Sequence, residues 1–145
     1  MSADLSLASS AAEEFLRYEP LFQRIVRVAN EDVVFHGKTV HCGQTVVLLI
    51  GAANRDPRVF ASPEVLDIRR APNRYLSFGY GAHFFLGTAL ARLEAIITIN
   101  TIRRCTTSLC LDDTAVEWHD VMVRSLKELR LRFAAQEPDT TSPVE

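Results

Sequence analysis

The segment from Phe78 to Gly87, FGYGAHFFLG, constrains this 145-residue chain more than any other. Three glycines interrupt a bulky apolar run, and residues 88–104 have the apolar spacing of an amphipathic helix. Glycine adopts positive φ without steric cost and lets a large flat group approach the backbone. The pattern therefore predicts a tight loop that leads into a long helix, with a candidate binding surface on the loop.

A second motif lies near the N-terminus, where AAEEFLRYEP predicts a short helix that ends before Pro20. Ser9 or Ser10 is the candidate N-cap of this helix. Glu14 and Arg17 are three residues apart, so they share one helix face. The residues alone favour a surface ion pair of small energetic value.

The middle of the chain carries strand-like runs separated by tight turns. The turns are predicted at Gly37 and Gly43, and LRLRF near the C-terminus predicts a further strand. VVLLIGAA fits either a buried strand or a short helix by its periodicity alone. The first two runs contain Ile25, Val26, Val28, Val33, Val34 and Phe35.

These motifs together resemble the cytochrome P-450 monooxygenases, a family of haem-thiolate enzymes. FGYGAHFFLG is similar to the haem-binding loop F-G-x-G-x-H-x-C-x-G, and E-x-x-R is the other signature of the family. Phe85 stands where the family has its haem-ligating cysteine. The resemblance implies an α+β structure, the C-terminal portion of a mainly helical fold with an E-x-x-R helix, small β segments, the haem loop, a long helix after it and closing β hairpins. The loop positions that match are Phe78, Gly79, Gly81, His83 and Gly87.

The resemblance also implies roles for individual side chains. Arg70 would complete a buried carboxylate–guanidinium cluster with Glu14 and Arg17 that supports the loop. Arg27 would bind one haem propionate and His83 would face the other, since both residue types suit a carboxylate. On the residues alone, Arg27 is an ordinary strand arginine and His83 a structural histidine. We therefore expect the cofactor-binding set to be vestigial.

Phe85 decides the expectations about chemistry. The family's thiolate binds iron and pushes electron density toward O–O cleavage, whereas a phenyl ring has no lone pair to offer a metal. The sequence thus predicts no catalytic residue, no metal site and no bound haem. Cys42, Cys105 and Cys110 are expected to be free thiols that act as small apolar side chains, because an odd count without an export signal disfavours disulfides.

Composition limits the remaining classes. The chain is 48% hydrophobic and 23% charged with a net charge of −2, which is typical of a globular domain and gives no basic patch for nucleic acid. Its apolar runs are too short to span a membrane, and its N-terminus lacks signal-peptide features, so a cytoplasmic location is expected. The predicted organisation is a disordered N-terminus (1–10), a P-450-like region (11–134) and a disordered tail (135–145).

Three functional hypotheses follow. The resemblance covers about the last third of a complete family member, which favours a truncated, catalytically inactive homologue of an enzyme that oxidises small organic substrates. The first alternative is a haem-less auxiliary or split-subunit partner of a biosynthetic enzyme. The second alternative is a residual haem-binding oxidoreductase. A redox partner is expected only under this alternative. The apolar stripe between Leu90 and Ile99 predicts an exposed face for a protein partner in the split arrangement.

Overall fold

A computed structural model describes residues 7–112, 116–119 and 123–136 of the chain. The described residues combine helices with short antiparallel strands, as expected for an α+β portion of a larger helical fold. A single 3-10 turn in the described part, Gly81–His83, lies within the glycine-rich segment 78–87. The elements in chain order are α1 (Leu7–Tyr18), β1 (Ile25–Val28), β2 (Val33–Phe35), β3 (Lys38–Val40), β4 (Thr45–Leu48), α2 (Ile50–Ala53), α3 (Thr88–Cys105), β5 (Thr106–Leu111) and β6 (Leu131–Ala135).

Helix α1 begins earlier than the sequence suggested. It starts at Leu7, so residues 7–10 belong to a helix and not to a disordered terminus. Ser10 lies inside the helix and its Oγ donates to the Leu7 carbonyl at 3.2 Å, which excludes it as the N-cap. The physical reason is a buried alanine face with helical spacing that extends the packed surface toward the N-terminus. That face consists of Ala8, Ala11 and Ala12.

Within the described residues, the strands form three antiparallel pairs, β1 with β4, β2 with β3 and β5 with β6. The predicted turns are present, since Gly37 has φ +75° between β2 and β3 and Gly43 has φ +82° before β4. VVLLIGAA contains both alternatives that its periodicity allowed. It forms strand β4 through Leu48 and then helix α2 from Ile50.

The C-terminal hairpin follows directly from α3. Strand β6 overlaps the predicted LRLRF segment from Leu131 onward and pairs with β5. The hairpin agrees with the closing β hairpins that the resemblance implied, but the residues of β5 were not predicted as a strand. The amide of Gln136 donates to the Cys105 carbonyl at 2.9 Å, so residues 135 and 136 still pair with the domain and the predicted tail from 135 starts too early. The rest of the predicted tail, and residues 1–6 of the predicted N-terminal segment, lie outside the described residues.

The centre of the fold is polar. Among the described residues, the apolar side chains classed as buried are Ala8, Ala11, Ala12, Ile50 and Phe60. The largest fully buried side chains are instead Arg17, Glu14, Asn54 and Pro20. The described part therefore depends on a buried charged cluster more than on an apolar core.

Helix α3 leaves an apolar face exposed. It contacts α1 on one side, while Leu90, Leu93 and Ile97 on another side are 60%, 53% and 54% exposed. These positions share one helix face by their spacing. None of the helices in the described part is long and apolar enough to cross a membrane.

Candidate functional site

The carboxylate of Glu14 and the guanidinium of Arg17 form a fully buried bidentate pair on α1. Arg17 Nε donates to Glu14 Oε2 and Arg17 Nη2 donates to Glu14 Oε1, both at 2.8 Å. Neither side chain has accessible surface. The planar guanidinium fork matches the two carboxylate oxygens, which favours arginine over lysine here. The i, i+3 spacing read from the sequence therefore produces an interior pair and not a surface one.

Further donors from the chain after α2 converge on the same carboxylate. Arg70 Nε lies 3.2 Å from both Glu14 oxygens, and the Asp67 amide donates to Oε1 at 2.9 Å. Asn73 Nδ2 donates to Oε2 at 3.2 Å. Burial alone would raise the pKa of Glu14, but the hydrogen bonds from Arg17, Asp67 and Arg70 together lower it below its ordinary value of 4.5. Glu14 is thus held as a carboxylate.

Arg17 joins α1 to the long segment between α2 and the glycine-rich loop. Its Nη1 donates to the carbonyls of Asn54 and Pro63 at 2.9 Å each, and its Nη2 donates to the carbonyl of Val65 at 3.2 Å. All donor nitrogens of this guanidinium therefore have acceptors. The structure brings Glu14, Arg17 and Arg70 together in one cluster, as the resemblance implied.

Asn54 extends the cluster to the start of the loop. Its side-chain oxygen accepts from the Leu76 amide at 2.8 Å, and its Nδ2 donates to Ser77 Oγ at 2.9 Å and to the Arg17 carbonyl at 3.1 Å. Ser77 Oγ in turn donates to the Leu16 carbonyl at 2.5 Å. Because Asn54 is fully buried, these bonds fix the backbone that enters the loop relative to α1.

A second charged group, which was not predicted from the sequence, connects α3 to α1. Arg92 Nε donates to Glu13 Oε1 at 2.6 Å, and the Tyr75 hydroxyl donates to Glu13 Oε2 at 2.7 Å. The Arg92 guanidinium lies over the Phe78 ring, 5.2 Å from its centroid. Burial and the bond to Glu13 raise the pKa of Tyr75. The sequence contains one indication that Arg92 pairs with a residue outside its own helix. It has no acidic residue three or four positions away with which it could pair within α3.

The loop from Phe78 to Gly87 is held by its own backbone. Gly79 and Gly81 have φ of +79° and +74°, a region that glycine adopts freely. The Gly79 amide donates to the Leu76 carbonyl at 2.8 Å, and the Phe85 amide donates to the Phe78 carbonyl at 2.9 Å. The two glycines thus make the turn that brings residue 85 back beside residue 78.

Phe85 lies near the C-terminal end of the loop. Its ring stacks on Phe78, with centroids 6.0 Å apart and an interplanar angle of 16°. Its carbonyl accepts from the Thr88 hydroxyl at the start of α3. The ring remains 52% exposed. The position that matches the ligand in the family pattern therefore holds an apolar ring on the loop surface.

Two further predicted site residues, Arg27 and His83, lie on the surface of the described part. Arg27 is exposed on β1 and its Nη1 donates to the Val26 carbonyl at 2.9 Å. His83 is exposed at the end of the 3-10 turn. Their carboxylate-binding roles stay predictions. Within the described residues, no three His, Cys, Asp or Glu side chains are placed to hold a metal ion.

The cysteines are exposed free thiols remote in sequence from the loop. Cys105 ends α3, which spans 18 residues, or about 27 Å at the usual helical rise. Cys110 Sγ faces the Arg132 carbonyl in the C-terminal hairpin, and Cys42 Sγ faces the Asn30 carbonyl. Their expected free state agrees with the structure. The expectation that they act as small apolar side chains filling the interior is wrong, because the short strands and the end of α3 leave them exposed.

Comparison with known proteins gives a consistent result. The family described as Cytochrome P-450 matches residues 1–127. The chain is 48% identical over 128 residues to the biotin biosynthesis cytochrome P-450 of Bacillus subtilis (strain 168), covering 88% of this chain and 32% of that protein. It is 38% identical over 137 residues to the cytochrome P-450 monooxygenase PikC of Streptomyces venezuelae, covering 92% and 33%.

Solved structures agree with the sequence matches. The crystal structure of P450BioI in complex with an acyl carrier protein ligated to hexadec-9Z-enoic acid has a TM-score of 0.86 at 46% identity, covering 90% of this chain and 34% of that chain. Substrate-free CYP109E1 from Bacillus megaterium gives 0.87 at 36% identity, covering 92% and 35%. The chain thus spans about a third of the length of the curated relatives it matches.

Proposed function

Because this chain belongs to the cytochrome P450 family, we propose that it forms the loop-bearing side of that fold and does not itself carry out haem-thiolate oxidation. The observation that carries the proposal is Phe85, which stands at the ligand position of the loop and stacks on Phe78. The oxidations of the relatives require an iron ligand that this ring does not supply.

The residues present do not fit a haem-thiolate centre. Thiolate ligation needs an electron pair on sulfur below the iron, and a phenyl ring has none. Backbone bonds fix residue 85 on both sides, through its amide to Phe78 and through its carbonyl to Thr88. A neighbouring residue therefore does not take over this position. Cys105, the next cysteine along the chain after the loop, lies at the far end of α3.

The buried cluster explains how the fold persists without the ligand. Removing one member of a buried ion pair leaves an uncompensated charge and costs about 3–5 kcal/mol. Glu14, Arg17 and Arg70 share no hydrogen bond with Phe85 among those the structure gives. Loss of the thiolate therefore leaves this network intact.

We expect the purified 145-residue chain, mixed with haemin, reduced and exposed to CO, to lack the absorption band typical of a thiolate-ligated haem. The reason is that residue 85 offers no sulfur. The measurement is a reduced CO difference spectrum. A thiolate-type band from the unmodified chain would refute the proposal.

The Phe85→Cys variant is the matched comparison for this spectrum. We expect it to lack the band as well, because the described residues cover only one side of the loop and Phe84, Phe85 and Leu86 remain 51%, 52% and 99% exposed. The apolar shell around a metal site controls the access of solvent to the metal and its ligand, and an exposed loop does not provide such a shell. A band in the variant alone would show that Phe85 by itself blocks ligation.

We also propose that the exposed face of α3 binds polypeptide equivalent to the part of the relatives that this chain does not match. The proposal is supported by the TM-score of 0.86 to a chain of which only 34% is covered. It is also supported by the apolar side chains of Leu90, Leu93 and Ile97 on one α3 face. Apolar surfaces of this kind mark interaction sites.

We expect the chain to associate with the unmatched part of the Bacillus subtilis biotin biosynthesis cytochrome P450, supplied as a separate polypeptide. Leu93→Glu should weaken this association about tenfold or more, because it buries an unpaired charge. Thr98→Glu adds the same charge on another face of α3 and is the control. Size-exclusion chromatography of the mixtures measures the complex. Equal loss of binding in both variants, or no complex with the unmodified chain, would contradict the assignment.

A further inference from the structure

Gly87 lies directly against the Phe85 ring. A Cβ added to Gly87 would lie 2.8 Å from Phe85 Cζ and 2.9 Å from Cε1, closer than carbon atoms approach without displacement. The backbone of Gly87 has φ −76° and ψ 11°, which an ordinary residue also adopts. A side chain at residue 87 would therefore have to displace the Phe85 ring, whereas the backbone conformation itself does not require glycine.

The Phe85 ring also contacts Phe78, which connects it to the rest of the domain. Phe78 stacks on Phe85 and makes an edge-type contact with Phe84, with the centroids of Phe78 and Phe84 6.5 Å apart. The Arg92 guanidinium covers Phe78 at 5.2 Å and binds Glu13 of α1. The ring of Phe85 is thus linked by contacts from the loop through α3 to α1.

We propose that Phe85 anchors the loop: its ring, in contact with both Gly87 and Phe78, takes the structural place of a metal–ligand bond as the fixed point of the loop. The side chain at the ligand position is then a positioning residue for the loop, and the loop keeps its conformation without haem. The anchoring role depends only on the position of the ring, so it is independent of whether the chain carries out oxidation.

A double-mutant cycle between Phe85 and Gly87, with amide hydrogen exchange as the readout, tests whether these two residues are coupled. Phe85→Ala should speed exchange of the Gly79 and Phe84 amides about tenfold, since the stabilisation lost with one aromatic pair corresponds to a change of about this size in the opening equilibrium. Gly87→Ala should speed the same amides in the Phe85 background by pushing the ring off Phe78. In the Phe85→Ala background it should have no further effect.

Tyr80→Ala is the control, because Tyr80 lies in the same loop and is 88% exposed. It should leave loop exchange unchanged. The α1 amides serve as an internal reference and should keep their protection in every variant. Haemin added to the unmodified chain should leave loop exchange unchanged.

Several outcomes would overturn the anchor. One is a Gly87→Ala effect of equal size in both backgrounds, which would show that the ring and the glycine are uncoupled. Others are unchanged loop exchange in Phe85→Ala, or loss of protection in α1 together with the loop, which would assign the effect to the whole domain. Another is slower amide exchange in the loop after haemin is added, which would show that the conformation of the loop depends on bound porphyrin and not on the Phe85 ring. A thiolate-type CO band would instead contradict the proposed function and leave the cycle unaffected.

Discussion

Replacement of Glu14 by glutamine is expected to lower the free energy of unfolding by about 3–5 kcal/mol, because it removes the charge that compensates a buried guanidinium. Arg17 is fully buried and Arg70 is 9% exposed, and both donate to this carboxylate. Glutamine keeps the shape but presents an amide group toward at least one donor. The loss is comparable to the whole stability of a marginal domain.

Urea unfolding followed by far-UV circular dichroism measures this effect. Glu128→Gln is the matched control, since Glu128 also pairs with an arginine, Arg130, at 2.9 Å but with side chains 65% and 58% exposed. An exposed pair of this kind contributes less than about 1 kcal/mol. Equal midpoints for the two variants would show that the cluster does not hold the fold together.

The site was predictable where a short motif carries its own geometry. The E-x-x-R spacing places Glu14 and Arg17 on one helix face, but periodicity does not tell a surface pair from a buried one. The resemblance supplied that difference, together with the third member, Arg70. The glycines of the loop likewise indicated a tight turn, and positive φ at Gly79 and Gly81 agrees with this.

The unpredicted parts depend on contacts between distant segments. The Glu13–Arg92 pair joins residues 79 positions apart, a separation at which sequence spacing carries no information. Strand β5 follows α3 without a break and is stabilised by pairing with β6. The residues of β5 alone therefore do not indicate where the helix ends and the strand begins. The early start of α1 depends on burial of Ala8 against neighbouring elements, which propensity alone does not show.

The Phe85 ring illustrates the same limit within one motif. The sequence showed that the ligand position carries a phenyl group, but it did not show that the ring folds back against Gly87. That placement depends on the turn at Gly79 and Gly81, which brings Phe85 beside Phe78. Identity at a motif position thus predicted which chemistry is lost, while the structure was needed to find the new contact.

Asn54→Ala is expected to destabilise the chain by about 3 kcal/mol, because it leaves several buried polar groups without partners. The fully buried Asn54 side chain accepts a hydrogen bond from the Leu76 backbone amide and donates to the Ser77 hydroxyl and to the Arg17 carbonyl. Those three groups belong to the loop entrance and to α1, so the loss should also speed exchange of the Leu76 amide more than that of the α3 amides.

The control for this substitution is Asn30→Ala, which removes the same amide group from an exposed position beside the β2–β3 hairpin. It should change the free energy of unfolding by less than about 0.5 kcal/mol. Urea unfolding and hydrogen exchange on both variants separate the two cases. If Asn54→Ala matched Asn30→Ala in both measurements, the amide would not be what couples the loop entrance to α1, and the backbone turns alone would have to position it.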